Sequence, residues 1–213
     1  MRTHGLFSDS GQSIVEFAMA LPFLVLMAVG TFAVGIIIDR HLTVGQVVRN
    51  GGNMYARGIK FDSTQNKQLL IDSGPGLDFQ LTGGRTAVHL SLLTRVPATA
   101  ICDDGSGPQP CANQDQIVIV QRYGIGDTVS ATSNMSSRLG TPTTFVNGSE
   151  GDVDNYFDEP TAVANGAPAV LTNGATGLLE DEFVYVIEVI HRPESIAFQG
   201  IFAPEYMYAR AFF

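Results

Sequence analysis

Residues Ile14 to Ile38 read IVEFAMALPFLVLMAVGTFAVGIII, 25 residues with one formal charge, Glu16. A helix of that length reaches roughly 37 Å, enough to cross a hydrocarbon core of about 30 Å with some tilt. No later run matches it. The longest, Ile117 to Val120 and Phe183 to Ile187, are of strand length. A buried core helix and a cleaved signal peptide share this kind of composition. Soluble core helices rarely stay apolar on every face for so long. A signal peptide has an apolar core of about 7–15 residues behind a charged n-region. Here the core is longer and Arg2 is the sole Lys or Arg before it, although Ala28-Val29-Gly30 imitates a cleavage site. The run fits best as one membrane crossing near the N-terminus.

Around this segment the composition narrows the choices. The 213 residues carry 12 basic and 21 acidic side chains, 12 − 21 = −9, so the chain lacks the basic stripe that phosphate backbones demand and no nucleic-acid partner is expected. Hydrophobic residues at 45% exclude a disordered chain. Two cysteines exclude a disulfide-rich mini-protein and a four-cysteine zinc site.

Glu16 sits two residues inside the apolar run, where a carboxylate costs up to about 2.5–3.5 kcal/mol at the bilayer centre and less near an interface. It either faces headgroups or needs a partner. Its surroundings are Gly11-Gln12-Ser13-Ile14-Val15-Glu16-Phe17, with Leu21-Pro22 further on. Glycine, four residues, Glu and an aromatic at the head of an apolar helix resemble the cleavage signature of type IV prepilins. With Glu-Phe and a following Leu-Pro, the segment resembles the TadE-like minor pseudopilins of tight-adherence (Tad/Flp) pili. The stretch Val47 to Arg57 resembles the stalk of that family. The likeness covers roughly residues 11–60.

The resemblance implies a processing site at Gly11, Gln12, Glu16 and Phe17. A membrane prepilin peptidase would remove leader 1–11 and leave 213 − 11 = 202 residues. Gln12 would carry the new amine, with Glu16 one helical turn on. Between subunits that carboxylate could neutralise a neighbour's amine, since a charge in a low dielectric is tolerable only when paired. Pro22 permits a kink or local melting. Ala18, Ala20, Ala28, Gly30, Ala33 and Gly35 are small residues suited to lateral helix packing, and also ordinary in an anchor. The implied partners are the inner membrane, prepilin peptidase, other pilins and pilus-assembly proteins. One departure concerns topology. The leader MRTHGLFSDSG holds one Arg and one Asp, whereas Arg40, Arg49 and Arg57 follow the anchor. The positive-inside rule alone would keep the C-terminal side in the cytoplasm.

The cysteines point outward. Cys102 and Cys111 flank eight turn formers and acids, DDGSGPQP, and suggest a local disulfide worth roughly 2–3 kcal/mol by the chain-entropy model. Free thiols are the alternative. No histidine lies nearby for a metal site, and the spacing is not Cys-x-x-Cys. A disulfide places the head in the periplasm or outside the cell.

After the anchor, Leu42, Val44, Val47, Val48 and Met54 mark a partial helical face, which Gly45, Gly51 and Gly52 weaken; the helix is expected to bend or end near Gly58. Ser63 to Ile71 reads as a short capped helix stopped by Gly74-Pro75-Gly76. Strands are expected over Thr86–Val96, Gln116–Tyr123, Glu182–His191 and Tyr206–Phe213, with the alternation of half-buried antiparallel strands. Gly124 to Leu178 reads as a long polar insertion with at most one short helix. Phe212-Phe213 is read as part of a buried final strand. The fold class is α+β: leader 1–11, anchor and stalk 12–60, exported head 61–213.

Charge is uneven. Residues 39–96 hold 7 basic and 4 acidic residues, net +3, and residues 97–191 hold 2 basic and 13 acidic, net −11. A basic stalk suits anionic headgroups. Glu150, Asp152, Asp154, Asp158 and Glu159 lack the glycine of an EF-hand loop and read as a solvated surface. His4, His41, His89 and His191 show no ligand spacing, and no nucleophile elbow, phosphate loop or dinucleotide fingerprint occurs. No catalytic site, cofactor or metal is expected. The sequence reads as a membrane-anchored minor pilin, with an uncleaved single-pass periplasmic scaffold or binding component of a secretion machine as the alternative.

Overall fold

The computed structural model describes residues 10–103, 105, 107–128, 135–172, 177–180, 182–194 and 205–213. Helix α1 runs from Ser10 to Ala56 and passes through Pro22. The chain forms two compact units, divided between Arg40 and His41. In the first unit, the apolar side chains from Ile14 to Ile38 are largely exposed.

The second unit is built on an antiparallel sheet. Its strands are β1 (Thr86–Arg95), β4 (Ile117–Gly126), β5 (Gly151–Asp152), β6 (Phe183–His191) and β7 (Met207–Phe212), in the order β5-β4-β1-β6-β7. A separate hairpin pairs β2 (Ile101–Asp103) with β3 (Pro108–Pro110). Helix α2 spans Thr64–Asp72, a 3-10 turn Pro160–Ala162 and a short α3 Ala169–Thr172. The α+β class is as the sequence indicates.

One face of the sheet packs on the helices. Val44, Val47, Val48 and Tyr55 recur at helical spacing along α1 and join Leu70 of α2 and the connecting Phe61, Leu77 and Phe79. They cover Val88 and Leu90 of β1, Tyr123 and Ile125 of β4, and Ile187 and Val189 of β6. Tyr55 is the hub. Its ring meets Phe61, Tyr123 and Tyr185 edge-on at 6.2, 6.1 and 5.0 Å, and its hydroxyl donates to Gln121 Oε1 at 2.9 Å. Such pairs add about 0.5–1.5 kcal/mol beyond area burial.

Helix α1 continues through Gly45, Gly51 and Gly52 and ends near Gly58, as expected. Gly51 and Gly52 let α1 approach the sheet: a β-carbon at residue 51 would fall 2.5 Å from Ile187 Cδ1, and one at residue 52 would fall 1.9 Å from the Phe213 ring. The helix stops with Gly58 at φ +83°, where Gly58 N–H donates to Tyr55 O and Ile59 N–H to Met54 O, the Schellman arrangement. Ser63 caps α2, accepting from Asn66 N–H at 3.3 Å.

Two expectations change. β1 and β4 are buried on both faces rather than one, because the insertion folds over the second face. Leu139, Val153, Ala162, Ala164 and Leu178 cover Leu93, Ile119 and Val186 there. A bulge between Leu92 and Leu93 leaves Val120 unpaired against β1. Secondly, Phe212 and Phe213 are 38% and 39% exposed rather than buried, because β7 is an edge strand. Part of the insertion, residues 129–134 and 173–176, lies outside the described residues.

Candidate functional site

Three places concentrate the chemistry: the head of α1, the disulfide hairpin, and a buried polar cluster on the second face of the sheet. Gly11 and Gln12 lie in the first turn of α1, and residues 1–9 of the expected leader lie outside the described residues. Glu16 and Phe17 follow on the same helix with exposed side chains. None of the most apolar 18-residue window of α1 is buried, and by length and composition this helix is able to cross a membrane. A β-carbon at Gly30 or Gly35 would meet nothing within 4 Å, so the chain itself makes no use of their smallness.

Cys102 and Cys111 are joined in a disulfide, with their α-carbons 5.0 Å apart. Asp103 Oδ1 accepts from Gly105 N–H at 2.9 Å and holds the turn between β2 and β3. Beyond Cys111, Ala112 N–H donates to Asp158 Oδ1, and Asn113 Nδ2 donates to Tyr156 O and Glu159 O at 2.9 and 2.8 Å. The bond therefore clamps a hairpin whose base is tied to the insertion. Cys102, Cys111 and Asp158 come close enough to share an ion, but the two sulfurs are spent on each other.

The acids of the insertion take separate structural duties. Glu150 pairs with Lys67 at 2.5 Å and accepts from Gly124 N–H; Asp152 accepts from Gln121 Nε2 at 2.6 Å. Glu159 accepts from the Thr161 amide and hydroxyl, which hold its carboxyl below the usual range.

The sequence reading did not anticipate the third place. Glu188 of β6 is 0% exposed. Its carboxylate accepts from Ser137 Oγ and from Tyr208 OH, the latter at 2.6 Å. Arg122 Nη1 stands 4.0 Å away and Arg210 Nη1 3.9 Å away. Arg138 stacks over Tyr208, 4.0 Å from the ring centroid. Register explains the convergence, since Ser91 faces Arg122 across β1–β4 and Val186, Glu188 and Ile190 alternate inward on β6. Burial pushes the Tyr208 phenol up, helped by its bond to Glu188. Burial lowers Arg122 to about 10, with Glu188 opposing.

His89, between them on β1, is lowered to about 4 by burial first and by the Arg122 charge second. Its Nε2 lies 2.8 Å from Met135 O, so the neutral ring carries its proton on Nε2. His191 is buried at the end of β6, as a strand-end residue. Thr86 Oγ1 donates to Leu77 O at 2.6 Å, which leaves His191 Nδ1–H to donate to Thr86 Oγ1 at 2.9 Å. A signal for the cluster existed in the sequence: single charges inside strand-length apolar runs, Arg122 in IVIVQRY and Glu188 in VYVIEVI.

Known proteins bear on one part of the chain. No curated protein and no solved structure matches it. The family model described as TadE-like protein matches residues 11–52, from Gly11 in the first turn of α1 to Gly52 against the Phe213 ring. Over residues 11–52, the chain is similar to TadE-like proteins.

Proposed function

We propose that this protein is a membrane-anchored minor pilin (pseudopilin) that serves assembly of a tight-adherence type IV pilus after cleavage behind Gly11. The TadE-like match over residues 11–52 carries this reading. It begins at the residue after which a prepilin peptidase would cut, and the exposed apolar helix that follows supports membrane anchoring and lateral packing. The new amine of Gln12 would pair with Glu16 of a neighbouring subunit as the helices leave the lipid. The partners on this reading are the inner membrane, the prepilin peptidase, other pilins and pilus-assembly proteins. The disulfide supports a head in the periplasm or outside the cell. The role is structural rather than catalytic: the imidazole proton of His89 is committed to a backbone carbonyl instead of a nucleophile.

One observation favours a second reading, an uncleaved single-pass scaffold of a secretion machine. The leader holds one Arg and one Asp, with Arg40, Arg49 and Arg57 beyond the anchor. Intact mass and N-terminal sequencing of protein purified from its host without reductant separate the two. A chain that starts at Gln12 and lacks the two thiol hydrogens is expected. Retention of residues 1–11 would overturn processing, and a start near Thr31 would make the apolar run a signal peptide.

A further inference from the structure

Asn-Gly occurs at residues 50–51, 147–148, 165–166 and 173–174, the last outside the described residues. The pair is chemically distinctive because glycine puts no side chain between its own backbone nitrogen and the carboxamide of the asparagine before it. That nitrogen can attack the asparagine Cγ when its N–H is free and the backbone can bring the two atoms together. The fold treats the three described pairs differently. Asn50-Gly51 lies inside α1, where the glycine N–H belongs to the helical ladder and a helical ψ holds the nitrogen away from the side chain. Gly51 is also packed against Ile187. Asn165-Gly166 is wedged against the chain: a β-carbon at residue 166 would fall 1.9 Å from Arg138 O. Gly166 O accepts from Arg210 Nη1 at 2.9 Å, and Ala167 N–H donates to Ala164 O at 3.1 Å around the pair.

Asn147-Gly148 stands clear. Both residues are exposed, Gly148 has φ +79°, and a β-carbon there would meet nothing within 4 Å. Among the described residues neither the Asn147 carboxamide nor the Gly148 N–H has a hydrogen-bond partner. The pair tips a loop that is closed behind it by Val146 N–H to Asp152 O at 2.9 Å and Asp154 N–H to Thr144 O at 3.2 Å. We propose that Asn147 is a site of self-modification, converted to isoaspartate without an enzyme. The Gly148 nitrogen gives its proton to solvent base and bonds to Asn147 Cγ. The Cγ–NH2 bond breaks, ammonia leaves, and a cyclic succinimide remains. Water then opens the ring. Attack at the Asn147 backbone carbonyl leaves isoaspartate, with the chain running through Cγ, and attack at Cγ leaves aspartate. Either product places a new carboxylate near Glu150 and Asp152, and isoaspartate adds one carbon to the backbone of the loop. That loop seats β5 on β4, where Gln121 faces Asp152 and Arg122 faces Gly151, and holds Glu150 against Lys67. Conversion therefore loosens the β5 edge of the sheet. The proposal is independent of pilin processing, because it rests on the head alone.

The test incubates the full chain, held in detergent, in mildly alkaline buffer, digests it at acid pH and scores isoaspartate at the three described pairs by mass spectrometry. Isoaspartate is expected at residue 147 at least tenfold faster than at residues 50 and 165, a barrier difference of about 1.4 kcal/mol or more. In denaturant the three pairs should react at similar rates, because the fold no longer separates them. Equal rates in the folded chain overturn the proposal. So does aspartate without isoaspartate, which would bypass the cyclic intermediate, and so does the same order in denaturant, which would take the selection out of the fold. Hydrogen exchange then reads the consequence. Protection of the Val146 N–H should drop at least tenfold in the converted chain and persist in Asn147→Gln carried through the same incubation. Protection retained in the converted chain would overturn the loosening of β5.

Discussion

Gly51 of the stalk helix lies against Ile187 of strand β6 with no room for a methyl group. A β-carbon at residue 51 would fall 2.5 Å from Ile187 Cδ1 and 2.9 Å from Leu70 Cδ1, both in fully buried side chains. Gly51→Ala should therefore destabilise the head by up to about 2 kcal/mol, since overpacking of about 1–3 kcal/mol is offset by a helix-propensity gain of about 1. Gly52→Ala should cost less, because the half-exposed Phe213 ring can swing aside. Denaturant midpoints of the two variants check the order. Equal effects would mean that the helix-to-sheet distance is not set at residue 51.

The charge cluster makes an opposite demand on its two ends. Glu188→Ala leaves Arg122 buried without its counter-charge and should cost about 3–5 kcal/mol. Tyr208→Phe removes one donor from a carboxylate that keeps Ser137 and two guanidiniums, and should cost about 1–2 kcal/mol. Urea unfolding of both variants would expose the ranking, and a neutral Glu188→Ala would show that the cluster contributes nothing to stability.

His89 should make the head acid-sensitive. Its pKa lies below the ordinary 6.5 in the folded state, because burial and Arg122 oppose its charge. The unfolded chain therefore binds the extra proton first. The contribution is complete above about pH 6.5, falls as the pH drops through 6.5 towards 4, and changes no further below that. The loss is on the order of 2–3 kcal/mol. The unfolding free energy of the wild type minus that of His89→Gln, followed from pH 7.5 to pH 4, should shrink across this window. A difference that stays level with pH would refute the assignment.

The hairpin disulfide closes a loop with a sequence separation of 9. By the chain-entropy model its removal should cost about 2–3 kcal/mol. Cys102→Ser with Cys111→Ser should lower the midpoint and release amide protection at Ala112 and Asn113, whose backbone N–H groups donate to Asp158 Oδ1 and Phe157 O. Hydrogen exchange read at those two amides tests this. Unchanged protection would mean that the hydrogen bonds hold the base of the hairpin without the clamp.

Much of the local structure was legible because it depends on neighbours in the chain. The apolar run, the Ser63 cap and the stop at Gly58 each follow from residues within a few positions of one another. The four long strands β1, β4, β6 and β7 were visible from alternating apolar residues, with boundaries off by at most three positions, β4 running on to Gly126, whereas the short β2, β3 and β5 were not. What Gly51 and Gly52 do was not legible, since propensity counts their cost in an isolated helix and not the close approach they allow. The insertion misled as well: its apolar residues are sparse and separated, so their common cover over β1 and β4 has no local period.

The sequence by itself determined that one segment is apolar enough for a membrane, that its opening residues resemble a processed pilin, and that the rest makes helices and antiparallel strands, because each of these is written in runs and spacings of consecutive residues. Tertiary structure alone decided that Arg122, Ser137, Glu188, Tyr208 and Arg210 share one buried place. Those residues are brought together by strand register and by the fold-back of the insertion, and a low-dielectric interior then obliges them to neutralise one another.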